Sequence, residues 1–307
     1  MRPFPLVYIV VVTWNGWPHT VRCLDSLRTL DYPSHHILTV DNGSTDNSVQ
    51  QIRAAYPDME LTAVGRNLGF AGGANAGIHR ALQHGAEYVW VLNNDVEVEP
   101  DTLTPLVEVA RLRADIGIVG PSVWRPTRNG KAEPEPAAFI WLGEYRLPDA
   151  CPAPDARNGE AFHLVDDLVG SSTLMDAAML REIGFFDERF FHYWDDVEIC
   201  ARARKAGWLV AHACRSRIRH AVGAAVPTTS AQAQYYFVRN WLLFSRWSGR
   251  GGLLTIFRRA PGMTLGRVLG RRWLFRGGWR PVLAGVLGMI DALRGRYGQR
   301  TLPRWLA

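Results

Sequence analysis

Two short stretches of the chain carry acids at spacings that could do chemistry. In "FFHYWDDVEICARARKAG", residues 190–207, Asp195 and Asp196 stand side by side directly after an aromatic cluster. Their charges repel, and Phe191, Tyr193 and Trp194 beside them limit hydration, which raises a carboxyl pKa and makes the group a better proton acceptor. The competing reading is structural: an acid in a first helical turn accepts backbone N–H bonds and suits the positive end of the dipole. In "VLNNDVEVEP", residues 91–100, Asp95 closes an apolar run and Glu97 follows two positions later. Extended backbone turns positions i and i+2 to one side, so both carboxylates could face one hard cation, Mg²⁺ or Mn²⁺. The competing reading there is an exposed acidic loop ahead of a helix capped by Asp101 or Thr102.

The elements that must position these acids are legible as an alternation of β-branched runs and helical stretches. The pattern predicts strands over 6–14, 35–42, 59–65 and 86–95, with helices over 18–30 and 44–56. Residues 69–85, "GFAGGANAGIHRALQHG", read as a glycine-rich loop feeding a third helix. Such βαβ units predict an α/β fold around a Rossmann-like, mainly parallel sheet flanked by helices. Polar residues gather where the strands end: Thr13 and Asn15, Asp41 and Asn42, Arg66 and Asn67, Asn93 to Asp95. Open α/β sheets bind ligands outside the carboxyl ends of their strands, so this convergence marks the site. A later strand over 208–220 ends at His220, and a lone histidine is more often a satisfied surface or core group than a ligand. Residues 125–163 are rich in Pro, Gly and charge and read as a long excursion.

Composition bounds the rest. The chain has 307 residues, 47% hydrophobic and 21% charged, a globular balance. Its four cysteines, Cys23, Cys151, Cys200 and Cys214, form no CxxC pair and read as reduced thiols of a cytosolic protein, although Cys200 and Cys214 could meet. No basic region or cleavage site accompanies the apolar start, and no apolar run approaches the ~20 residues of a spanning helix. The net charge of +6 is uneven: residues 250–307 hold twelve arginines and one acid, Asp291, so +11 there leaves −5 for residues 1–249. Stretches 263–275 and 281–294 have the amphipathic spacing of helices that lie on an anionic membrane surface. A solvated helical extension packed on the core is the alternative, and no motif supports nucleic acid as a partner. A Rossmann glycine loop belongs after the first strand, whereas this one follows the third, and neither a Walker A sequence nor a nucleophile elbow is present.

"VVVTWNG", "VDNGSTDNS", "RNLGFAGGANAGI", "VLNNDVEVEP", "GSSTLMDAAMLREIGFFDERFFHYWDDVEICARARKAGW" and "RIRHAVG" together resemble family 2 glycosyltransferases, and within them the bacterial rhamnosyltransferase-like branch. The resemblance runs from about residue 5 to about residue 245, in the same order and with ordinary spacing. It implies a GT-A fold, a nucleotide-diphosphate-sugar donor, a divalent cation (Mg²⁺ or Mn²⁺) and inversion at the anomeric carbon. It further implies that Thr13, Asn15, Asp41, Asn67 and Asn94 line the donor pocket. Asp95 matches the last aspartate of the metal motif, with Glu97 and His220 as further candidate ligands, and Asp196 matches the general base. Gly170, Ser171, Trp194 and Asp195 fall where the acceptor is bound. Asn94 departs from the family, which often has an aspartate or proline at that position.

The implied organisation is a catalytic domain over 1–245, divided into a nucleotide-sugar half (1–124) and an acceptor half (160–245), followed by a basic helical extension over 246–307. The expected activity transfers rhamnose from dTDP-rhamnose, or a sugar from a UDP donor, to a lipid-linked or polysaccharide acceptor at the cytoplasmic face of the membrane. A non-catalytic sugar-nucleotide scaffold and a sugar-1-phosphate nucleotidyltransferase are the alternatives; the latter needs an early Gly/Arg-rich triphosphate loop that this sequence lacks.

Overall fold

In the computed structural model, which describes residues 4–126, 132–135, 162–221, 230–248, 279–303 and 305–306, the chain begins in a strand buried at every position, β1 (Val7–Thr13). Val7, Ile9 and Val11 enter the core on one face of the sheet, while Tyr8, Val10 and Val12 enter the core on the other. That two-sided burial is why β1 reads as a continuous apolar run rather than an alternating one. The chain continues through α1 (Trp17–Leu27), β2 (His35–Asp41), α2 (Ser48–Ala55), β3 (Glu60–Ala63), α3 (Gly69–Gln83) and β4 (Tyr88–Asn93). Then come β5 (Val96–Val98), α4 (Leu103–Leu112), β6 (Ile116–Pro126), β7 (Ala132–Glu135), β8 (Phe162–Val165), β9 (Ser172–Asp176) and α5 (Ala177–Ile183). The last described elements are α6 (Asp195–Lys205), β10 (Leu209–His220), α7 (Ala231–Trp247) and α8 (Trp279–Leu293).

The strands lie in the order β3-β2-β1-β4-β9-β6-β10-β5, with β7 on β6 and β8 on β10. β3, β2, β1 and β4 run parallel, as do β6 and β10. β9 is antiparallel to both β4 and β6, and it stitches the parallel half to the second half. α1 and α4 cover one face of the sheet, and α3, α5 and α6 cover the other.

The stretch read as a glycine-rich loop is helix from its first residue. α3 lies close against the sheet: a Cβ on Gly77 would meet Val10 Cγ1 at 2.2 Å, and one on Gly73 would meet Val12 Cγ1 at 2.9 Å. These glycines let backbone approach strand side chains, a packing role that outweighs their poor helix propensity. The cysteines also differ from expectation. Cys23 and Cys200 are buried free thiols, but Cys214 is disulfide-bonded, its partner outside the described residues, so the all-reduced reading is corrected.

α7 and α8 pack against each other, with Gly288 so close to Tyr235 O that a Cβ would lie 2.6 Å from it. Asp291, the single acid of the basic extension, is buried, accepts a 2.8 Å hydrogen bond from Tyr235 Oη and lies 3.3 Å from both Arg296 and Arg300. Of the two expected amphipathic helices, 281–294 is α8, while 263–275 lies outside the described residues, as does most of 125–163. Among the described residues no helix is long and apolar enough to cross a membrane.

Candidate active site

The loops after β1 and β2 form one wall. Asn15, at φ 56°, accepts from Thr45 N on Oδ1 (2.9 Å) and donates its own N–H to Ser44 Oγ (2.8 Å). Asp41 is buried: Oδ2 accepts from Ser44 N (3.1 Å), whereas Oδ1 has no hydrogen-bond partner. Asn42, in a position the sequence marked only as polar, spans to the next loop, donating to Gly69 O (2.8 Å) and accepting from Leu68 N (3.0 Å). Asn67 Oδ1 accepts from Gly69 N (2.8 Å), so it shapes the start of α3.

Thr13 and Asn94, expected to face the donor, are engaged beneath the wall. Asn94 Nδ2 donates to Thr20 Oγ1 (2.9 Å) and Thr13 Oγ1 (3.3 Å), and the two threonine hydroxyls are 2.9 Å apart. Both residues are buried, and these hydrogen bonds join the end of β1 and α1 to the turn after β4.

Asp95 sits in the turn between β4 and β5, its Oδ1 3.3 Å from His220 Nε2 at the end of β10, with each side chain 9% exposed. The contact has ion-pair distance but not hydrogen-bond alignment, so that carboxylate oxygen keeps an unused acceptor site. Asp95 O accepts from Ala221 N (3.0 Å), which fixes the pair from the backbone as well. Glu97 does not join them. The strand alternation assumed for positions 95 and 97 does not hold, because β5 begins only at Val96. Glu97 instead pairs with Arg22 at 3.1 Å on the surface. Among the described residues no third Asp, Glu, His or Cys completes a cluster with Asp95 and His220. A buried carboxylate and an imidazole fit a divalent cation that draws its remaining ligands from phosphate oxygens and water.

Trp194 starts α6 in the left-handed region (φ 71°), and Asp195, Asp196 and Glu198 occupy the first turn. The N-cap residue, Trp194, makes no side-chain cap bond. Asp196 accepts from Gly170 N on Oδ2 and from Val197 N, a first-turn N–H, on Oδ1, each at 2.9 Å. Burial pushes both adjacent carboxyls above the ordinary aspartate range, and the charge of Asp196 drives Asp195 further, to about 8. Ser171 is buried with Oγ unpartnered, and its carbonyl accepts from Asn93 N at 3.1 Å. The Gly170–Ser171 dipeptide thus joins the end of β4, two residues before Asp95, to Asp196. The ring of Trp194 stacks on Phe244 at 5.9 Å and tilts against Phe237.

Two residues escaped the sequence reading. Arg239 and Asn240 are 1% and 0% exposed in the middle of α7. Their signal was available: a charged and an amide side chain interrupt the aromatic and aliphatic run "YYFVRNWLLF", and such groups are buried only when hydrogen-bonded.

Residues 8–180 match the profile described as Glycosyl transferase family 2. The chain is 28% identical over 274 residues to the N-acetylglucosaminyl-diphospho-decaprenol L-rhamnosyltransferase of Mycobacterium tuberculosis (strain ATCC 25618 / H37Rv), covering 80% of this chain and 89% of that protein. It is also 28% identical over 209 residues to galactofuranosyltransferase GlfT1 of the same organism, covering 66% of this chain and 65% of the relative. Among solved structures, the mannosyltransferase PcManGT from Pyrobaculum calidifontis in complex with GDP-Man and Mn²⁺ superposes with a TM-score of 0.58 at 16% identity, over 96% of this chain and 89% of that one. GalNAc-T7 with UDP, GalNAc and Mn²⁺ gives 0.61 at 15% identity, over 90% of this chain and 58% of that one. These likenesses establish the GT-A fold, and the profile match places the chain in glycosyl transferase family 2.

Proposed function

We propose that the protein is an inverting glycosyltransferase that moves rhamnose from dTDP-rhamnose, or the sugar of a UDP donor, to a lipid-linked or polysaccharide acceptor. The observation that carries this reading is the pair of hydrogen bonds through Gly170–Ser171, which ties the strand end bearing Asp95 to the helix turn bearing Asp196. On this reading, the diphosphate site and the proton acceptor share one backbone link.

In the transfer, the acceptor hydroxyl oxygen forms a bond to the anomeric carbon while Asp196 takes its proton. The bond from that carbon to the diphosphate oxygen breaks on the opposite face, its electron pair leaves with the nucleoside diphosphate, and configuration inverts. Burial strengthens Asp196 as a base, and its two backbone N–H bonds keep the carboxylate aimed. Asp41 Oδ1, buried and unengaged, can accept the ring N–H that thymine and uracil both carry. Asp95 and His220 would hold a divalent cation, which when bound neutralises charge on the departing diphosphate.

The likeness to the mycobacterial rhamnosyltransferase supports rhamnose as the sugar and a diphospholipid-borne acceptor. Such an acceptor fits a peripheral site on an anionic membrane surface. α8 and the residues after it expose Trp279, Leu283, Ile290, Leu293, Tyr297 and Trp305 within the strongly basic segment. The decisive experiment compares Asp196→Asn with the parent. Transfer should fall by about three to four orders of magnitude while nucleoside-diphosphate stabilisation with Mn²⁺ persists. Near-parental turnover in that variant removes the assignment.

A further inference from the structure

Three of the four non-glycine residues with positive φ among those described lie within one loop: Phe191 (63°), Tyr193 (65°) and Trp194 (71°). L-residues with bulky side chains avoid this region, so a run of them persists only where its surroundings over-determine it. The loop leads directly into Asp195 and Asp196, so its shape sets where those carboxyls stand.

What holds the loop comes from the distant α7. Asn240 Nδ2 lies 2.6 Å from Phe190 O, 2.7 Å from His192 O and 2.9 Å from Tyr193 O, three carbonyls that share two N–H donors. Arg239 fixes the amide's orientation by donating from Nε to Asn240 Oδ1 at 2.8 Å. Its Nη2 donates to Phe190 O (3.0 Å), and Nη1 donates to Gly298 O (2.6 Å), beyond α8. Gly298 in turn donates its N–H to Arg189 O at 2.8 Å. The guanidinium lies 4.8 Å from the ring centre of Tyr236, which stacks on Phe191. From the donor side, Phe70 N donates to Phe191 O at 2.8 Å, and Gly69 meets the same carbonyl with no room for a Cβ.

We infer that Arg239 and Asn240 are positioning residues for the reaction, a clamp that holds the strained 190–194 loop, and with it Asp195 and Asp196, in register with the donor-side start of α3. Through Gly298 the C-terminal segment becomes part of that clamp rather than an appendage. The inference rests on Asp196 as the proton acceptor. Asn240 alone gathers three loop carbonyls on the two N–H donors of one amide. Each of those three carbonyls belongs to a residue at, or adjacent to, a left-handed backbone position.

The test uses the full chain with Asn240→Ser and the milder Arg239→Lys, which keeps the charge but loses the fork. Expected for Asn240→Ser is a fall in kcat of about 100-fold, with donor KM and nucleoside-diphosphate stabilisation changed less than about threefold, since misplacing a reacting group acts on turnover. For Arg239→Lys the expected fall is about tenfold. Adding Tyr193→Gly to Asn240→Ser should recover part of the lost kcat, because glycine adopts the required φ without help. A purely structural role predicts parallel losses in melting temperature, donor binding and kcat, with no recovery by glycine, and that result overturns the clamp. So does turnover within about twofold of the parent in both variants, given that a buried hydrogen-bonding group has been removed. Asp196→Asn, assayed alongside, separates the two readings: if it stays active while Asn240→Ser does not, the base assignment fails and the loop positions some other group.

Discussion

Gly170 and Asp196 are fitted to one another: the glycine N–H reaches Asp196 Oδ2 at 2.9 Å, and a Cβ on Gly170 would lie 2.7 Å from Asp196 Cβ. The hydrogen bond draws the carboxylate in, and the missing side chain leaves space for it. Gly170→Ala should therefore push Asp196 aside, lowering kcat about tenfold or more and costing about 1–3 kcal/mol of stability through overpacking. Steady-state kinetics beside urea denaturation checks both; an unchanged kcat in a destabilised variant would show that Asp196 is not sensitive to this contact.

Asp195 is held above its ordinary range mainly by burial, then by the charge of Asp196. A carboxyl whose folded pKa exceeds its unfolded value binds more protons in the native state, so its contribution to stability falls as pH rises between the two values. For Asp195 that window runs from the ordinary 3.8 to about 8. Asp195→Asn should therefore be more stable than the parent at pH 8, by about 1 kcal/mol or roughly 2–4 °C, with the gain shrinking toward pH 5. Melting curves across that range measure it, and a gain that grows on acidification contradicts the sign.

Asp95 and His220 meet at 3.3 Å while Glu97 is spent on Arg22 at the surface. His220→Ala should raise the Mn²⁺ concentration needed for half-maximal transfer by about 10–100-fold. Glu97→Gln, which breaks only an exposed ion pair, should shift it by less than about threefold. A metal titration of the three proteins decides; an equal response in the Glu97 variant would restore that residue to the ligand set.

The exposed apolar face after residue 278 should place the protein on anionic vesicles. Flotation with phosphatidylglycerol vesicles should recover the parent at low salt and lose it near 1 M salt, where the Debye length is about 3 Å. Replacing exposed Trp279 and Trp305 by Ala should weaken recovery even at low salt, and equal recovery from neutral vesicles contradicts an electrostatic role.

Much of the N-terminal part of the sheet was legible because its signals are local. Continuous β-branched runs mark strands buried on both faces, as in β1 and β4, and polar residues at their ends mark the sheet edge. The reading ran out where a residue's partner is remote. Nothing near Glu97 announces Arg22, 75 positions earlier, and nothing near Thr13 announces that Asn94 will occupy its hydroxyl. The glycines of α3 were read from propensity, which close packing against Val10 and Val12 overrides.

The sequence by itself determined the family and the order of the elements from β1 to β4, because periodicity and motif spacing are properties of a few consecutive residues. Tertiary structure alone decided which groups meet: Asp95 with His220, Asp196 with Gly170, and Asn240 with the carbonyls of a left-handed loop fifty positions earlier. Those meetings depend on how strands register and helices dock over long separations. A buried polar group takes whichever partner that packing brings within about 3 Å, a choice no local pattern encodes.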